Sequence, residues 1–152
     1  MKEKKYLTYT SVDPKLVALA SSLSEAISIF VFLVGTAVLI GWRFNLVILT
    51  SVSPQFFAMK PNAAVALMLL GASLWFLQNK RPKKWLRNVG RICAASAMLL
   101  GLLTFIEYIF GWNLNIDLIL FKKSVTNLTA LTLYPGRMGF VATLNFIFLG
   151  WG

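Results

Sequence analysis

Gly41-Trp42-Arg43-Phe44-Asn45-Leu46 returns seventy positions later as Gly111-Trp112-Asn113-Leu114-Asn115-Ile116. Each copy follows a long apolar run. Each is answered across a loop by a Met that opens another apolar run ending in Leu-Gly: Met59 to Leu70-Gly71, and Met138 to Leu149-Gly150. The unit is an apolar segment, a Gly-Trp-x-x-Asn loop and a second apolar segment, and it is written twice. Self-similarity of this kind is read before single residues, because it defines the building block. It points to a duplicated membrane hairpin.

Composition agrees. The 152 residues are enough for one domain. An apolar share of 58% and a mean hydropathy of +0.73 exceed those of an ordinary soluble domain. The apolar residues are also clustered, and residues 26–40, 61–77 and 92–106 carry no charge at all. A spanning helix needs about 20 mostly apolar residues. The expected fold is therefore all-α: a polytopic membrane protein of two tandem transmembrane helical hairpins, with spans at about 16–40, 61–77, 92–110 and 138–152. A basic cytoplasmic tail (1–15) precedes the module (16–152). Outer loops fall at 41–60 and 111–137, and a cytoplasmic link at 78–91. Phe44, Leu46, Ile48 and Leu49 make the first outer loop too apolar to stand free in water, so a short amphipathic turn or helix is expected there. The fourth segment reaches only about 22 Å, so we expect it to be a truncated span.

The net charge of +10 is placed rather than spread. Lys2, Lys4, Lys5 and Lys15 precede the first span; Lys80, Arg81, Lys83, Lys84, Arg87 and Arg91 fill the link between the second and third. Basic residues beside span ends mark the cytoplasmic face, and both clusters fall on the same side of a chain that crosses twice between them. The expectation is a multi-pass protein of the inner (cytoplasmic) membrane with its N-terminus in the cytoplasm. Its charge meets the lipid bilayer, and no nucleic-acid motif accompanies it. Small-residue faces such as 71–73 and 94–97 suit helix packing and a homodimer through the membrane helices. The single Cys93 and the absence of His leave no disulfide, metal site or cofactor to expect from these residues.

Glu107 stands out, since an ionisable group inside a span is costly and is read first as functional. Lying within one turn of Gly111, it can instead pair with Arg137 or Arg43, and both readings stand. Glu25, among serines at the other end of the first span, reads as solvated. Trp42 and Trp112 suit the aromatic belt. Their equivalent places in the repeat, with Asn45 and Asn115, allow a second reading as an outer pocket of indoles and amides. Asp117 has no counterpart in the first loop, where Val47 stands. The candidate sensing residues are thus Trp42, Asn45, Glu107, Trp112, Asn115, Asp117 and Arg137, with no catalytic residue among them. The Asn127-Leu128-Thr129 triplet fits a glycosylation pattern too short and common to carry weight.

Several blocks in order carry a resemblance: Gly41-Trp42-x-x-Asn45, Met59-Lys60-Pro61-Asn62, Ser73-Leu74-Trp75, Gly101-Leu102-Leu103-Thr104, Glu107-Tyr108-x-Phe110-Gly111-Trp112, Asn115-Ile116-Asp117 and Pro135-Gly136-Arg137-Met138. Over roughly 38–150 the chain resembles the N-terminal four-helix membrane region of bacterial and archaeal PAS-containing sensor histidine kinases, a region also found before diguanylate cyclase modules. The resemblance implies membrane anchoring and signal input for a kinase whose PAS module and transmitter lie beyond Gly152, and, through those modules, a cytoplasmic response regulator as partner. One departure is plain. Where the family repeats Pro-Asn-Thr-Ala, and the first copy has Pro61-Asn62-Ala63-Ala64, the second has Phe140-Val141-Ala142-Thr143. The rival reading is a small four-helix transporter, or a membrane-partner subunit, using Glu25 or Glu107 to couple a cation; a bare anchor is the third.

Overall fold

The computed structural model describes residues 13–50, 58–78, 83–112, 114 and 137–152. All their regular structure is helical: α1 (Pro14–Phe44), α2 (Val47–Thr50), α3 (Pro61–Gln78), α4 (Lys84–Phe110) and α5 (Phe140–Trp151). The expected basic tail, residues 51–57, most of the link before Lys83 and most of the second loop, with Asn115 and Asp117, lie outside the described residues.

α1 begins where its residues dictate. The Asp13 carboxylate accepts the Lys15 N–H at 2.9 Å, and Pro14 takes the first helical position. It runs past Gly41-Trp42 to Phe44, four residues beyond the expected end at 40, because the chain reverses only at Asn45 in the left-handed region (φ 55°). α2 is the expected short helix of the first loop. α4 starts at Lys84, eight residues before the expected 92, so Lys84, Arg87 and Arg91 of the basic cluster are helical rather than linking chain. It ends at Phe110, with Gly111 left-handed (φ 63°).

Three helices, α1, α3 and α4, are long and apolar enough to cross a membrane. At about 1.5 Å per residue they measure roughly 46, 27 and 40 Å, against a hydrocarbon core of about 30 Å. In α1 only 17% of the most apolar window is covered by the rest of the chain. Phe30, Leu33, Leu23 and Leu16 stand more than half exposed along it. Such a surface is a liability in water and suits lipid, and it marks the chain as a membrane protein. At the place of the fourth span, expected to be truncated, stands a 12-residue apolar helix, α5, of about 18 Å. Among the described residues, three helices are thus long and apolar enough to span, and one short apolar helix follows them.

The helices pack in chain order, α1 on α3, α3 on α4 and α4 on α5, each antiparallel to the last. The starts of α1 and α4 therefore share one end, the link end, with Lys15, Lys83, Lys84 and Arg87. Both hairpins open the same way, as expected for a parallel repeat. Close approach depends on glycine. A Cβ on Gly35 would lie 2.7 Å from the Ala64 carbonyl oxygen, and one on Gly71 would lie 2.8 Å from the Phe32 nitrogen. Buried Ser28 turns its hydroxyl to the Glu25 carbonyl at 2.7 Å, so it packs as a small residue without an unmet donor.

The second hairpin repeats these contacts with an unexpected offset. Gly101 meets Thr143 and Ile147 as Gly35 meets Ala64 and Met68, while Gly150 meets Ala94 and Met98 as Gly71 meets Ser28 and Phe32. First helices therefore correspond at 66 positions and second helices at 79, not at the seventy of the Gly-Trp motif. Trp42 is the structural equivalent of Tyr108, Asn45 of Gly111, and Gly41 of Glu107. The motif is displaced by one helical turn.

Candidate functional site at the loop end

Glu107 lies in the last turn of α4 and is completely buried. Its Oε1 accepts the Leu114 backbone N–H at 2.7 Å. Its Oε2 lies 3.5 Å from Nε of Arg137, a side chain 3% exposed that precedes α5. Of the two partners open to Glu107, the structure selects Arg137. Arg137 Nη2 also donates to the Trp112 carbonyl at 2.9 Å. One guanidinium thus holds a carboxylate of α4 and a backbone carbonyl just past its end, while the carboxylate holds a backbone amide further on. Two backbone groups just past α4 are held by two side chains. Beside each other, the carboxylate and the guanidinium each gain a backbone partner, which offsets part of the cost of burying them.

Aromatic packing completes the enclosure. Arg137 lies over the Tyr108 ring, its Cζ 5.4 Å from the centroid. The Tyr108 hydroxyl donates to the Met138 carbonyl at 2.8 Å, and its ring meets Phe140 edge-on at 5.6 Å. Phe105 stacks on the same Phe140 at 5.9 Å. The Phe140 that departs from the expected Pro-Asn start is thus the platform on which the end of α4 rests. α5 nevertheless starts in the register of α3: Thr143 N–H reaches Gly139 O at 3.0 Å, as Ala64 N–H reaches Lys60 O at 3.1 Å.

The other candidates separate. Trp42 is fully buried, and its indole N–H donates to the Met59 carbonyl at 2.8 Å, closing the first hairpin. Trp112 is 57% exposed and stacks against Phe110 at 5.2 Å. Trp42 and Trp112 hold different environments rather than the matched walls of one pocket. Asn45 serves as the left-handed cap of α1, its N–H returning to the Gly41 carbonyl. Glu25 is exposed beside Ser21, Trp75 and Gln78 in a cleft of about 540 Å³ at the link end, where the Gln78 amide donates to Ser24. Among the described residues no cluster of His, Cys, Asp or Glu has the makings of a metal site.

Tyr108 is the site residue that the sequence reading missed. The signal was present: Ile40-x-Trp42-x-Phe44 matches Ile106-x-Tyr108-x-Phe110 once the 66-position offset is used. The two copies of Gly-Trp hid it. No family model, curated protein or solved structure matches this chain.

Proposed function

We propose that the chain is the membrane-embedded input and anchoring region of a signal-transduction protein, a two-component sensor histidine kinase in the first instance. Its basic link end faces the cytoplasm of a cell whose inner membrane it spans. The observation that carries this reading is the buried Glu107–Arg137 pair. It joins the end of α4, the chain that follows and the start of α5 through charge rather than through a continuous apolar seam. A packed seam deforms little, whereas an ion pair in a dry site has two distinct conditions, closed and broken. A stimulus reaching the loop end shifts that balance, and α5 carries the shift toward the link end as a bias between two packings. The sequence blocks shared with sensor-kinase membrane regions point the same way. The engagement of the fully buried Glu107 with Arg137 and the Leu114 amide weakens its use as a transporter's cation carrier.

The test has two steps. Coding sequence continuing past Gly152 into a PAS segment and a helix with a phosphorylatable His supports the reading; a stop codon there overturns it. In that parent protein, Glu107→Gln is expected to change basal autophosphorylation severalfold, with Trp112→Ala altering the response to stimulus. Unchanged activity in both variants reduces the module to an anchor.

A further inference from the structure

Asn145 stands where a polar side chain is hardest to place. α5 runs antiparallel to α4, and Gly101 of α4 lies against Thr143, Phe146 and Ile147. Gly101 is ten residues short of the cap of α4 at Gly111. That places it about 15 Å from the loop end, half the depth of a hydrocarbon core about 30 Å thick. Asn145 belongs to the same level and is exposed on α5. Its amide offers two donors and an acceptor, and none of them has a hydrogen-bond partner among the described residues. Thr36, within α1, is met at home: its hydroxyl donates to the Phe32 carbonyl at 2.8 Å. In hydrocarbon an unmet amide is costly, and a polar group on a neighbouring helix is the usual means of meeting it.

The repeat indicates what kind of element belongs on this face. By the 79-position match of the second helices, Ala142, Asn145 and Leu149 correspond to Ala63, Ala66 and Leu70. On α3 that stripe is covered by a helix: Ala66 is fully buried in a cluster with Ala97 of α4, and Leu70 packs against it. On α5 the same stripe lines an open cleft of about 570 Å³ beside α3, and Leu149 is 64% exposed. A helix therefore fits the face, provided that it brings a polar group to mid-membrane. The small residues expected to join two copies do not compete for this role, since Gly71, Ser73 and Ala97 are buried within the chain.

We propose that this face is the interface of a homodimer, in which α5 of a second copy lies along α5 and the two Asn145 amides hydrogen-bond to each other. Two copies inserted alike in one membrane are related by a two-fold axis along its normal, so both Asn145 residues lie at one depth. An amide is donor and acceptor at once and can satisfy its own copy; a lipid tail cannot satisfy it. The proposal does not rest on the signalling reading. Sedimentation equilibrium of the 152-residue chain over a range of protein-to-detergent ratios reads the dimer. Asn145→Ala should weaken dimerisation about tenfold, and Asn145→Gln, which keeps the amide, should stay within about threefold of the native chain. Asn145 is exposed, so both variants should keep their helices, which circular dichroism checks. In a Cys93→Ala background, oxidation should join Leu149→Cys copies by a disulfide and leave Phe30→Cys, 67% exposed on α1, as monomers. A chain that stays monomeric at every ratio, a dimer indifferent to Asn145→Ala, or cross-linking at Phe30→Cys in preference to Leu149→Cys overturns the proposal.

Discussion

The first hairpin closes its loop end by packing; the second closes it by charge. In the first, the connection lies directly on Gly41, where an added Cβ would come within 2.8 Å of Leu49 and 2.9 Å of Thr50. In the second, Glu107 occupies the equivalent place and tethers its connection through the Leu114 amide, while Arg137 stands where the first hairpin has Ala58. Both members of the ion pair thus replace small residues, and they do so together. What the hairpins share is the seal on the carbonyl of the Met before the second helix. Trp42 donates to Met59 and Tyr108 donates to Met138, each at 2.8 Å. A common frame with one apolar and one charged closure teaches that the charge is not needed to make a hairpin. Its presence in one copy is the best reason to look for function there.

The largest effect should come from breaking the charged closure by halves. Glu107→Gln leaves the Arg137 cation buried without its counter-charge, at a cost of about 3–5 kcal/mol. Unfolding by denaturing detergent in mixed micelles measures it. The double variant Glu107→Ala with Arg137→Ala leaves a small pair comparable to Gly41 and Ala58 of the first hairpin and should cost less than the sum of Glu107→Ala and Arg137→Ala made singly. Additive losses would mean that the two side chains act independently and that the 3.5 Å approach carries no coupling.

A smaller effect separates the structural repeat from the sequence repeat. Trp42→Phe and Tyr108→Phe each remove the donor to a Met carbonyl, and each should cost about 0.6–1.7 kcal/mol, the range for hydrogen bonds within membrane proteins. Trp112→Phe, at the motif position equivalent to Trp42, should change stability by less than about 0.5 kcal/mol because that ring is largely exposed. If Trp112→Phe and Trp42→Phe cost the same while Tyr108→Phe is silent, the Gly-Trp motif rather than the 66-position offset describes the fold.

Apolar run length and charge placement made the helices legible: α1, α3 and α4 were foreseen within a few residues, apart from the basic start of α4. A run of lysine and arginine looks like a link, yet Trp85, Leu86 and Val89 give it enough apolar residues to continue the helix toward α3. Glu107 and its choice between Arg137 and Arg43 could be framed from position alone. Which partner it takes could not, because that depends on the one-turn displacement of α4's end. The displacement was hidden by a motif conserved in letters and not in role. Gly41 is helical while Gly111 ends a helix, so Trp42 turns inward on the last turn of α1 and Trp112 falls beyond the last turn of α4. The glycines at close contacts told the truer story. Gly35 and Gly101 face equivalent carbonyls, whereas the motif alignment would pair Gly35 with Phe105.

The smallest effect tests that displacement at the caps. Asn45 and Gly111 are the two described residues with positive φ, 55° and 63°, and each ends the first helix of its hairpin. Asn is the residue other than Gly that enters this region most readily, because its short amide can bond locally. Gly111→Asn, which writes the first hairpin's cap into the second, should therefore cost only a few tenths of a kcal/mol, since nothing lies within 4 Å of the added Cβ. Gly111→Ala has the same open space and no such local bond, so its cost of about 1–2 kcal/mol comes from the left-handed backbone alone. Asn45→Gly completes the exchange and should be close to neutral. Thermal unfolding of the three variants in one micelle orders them. If the Ala and Asn variants at 111 prove equal, α4 does not end in a left-handed cap, and the match between Asn45 and Gly111 that sets the 66-position frame is lost.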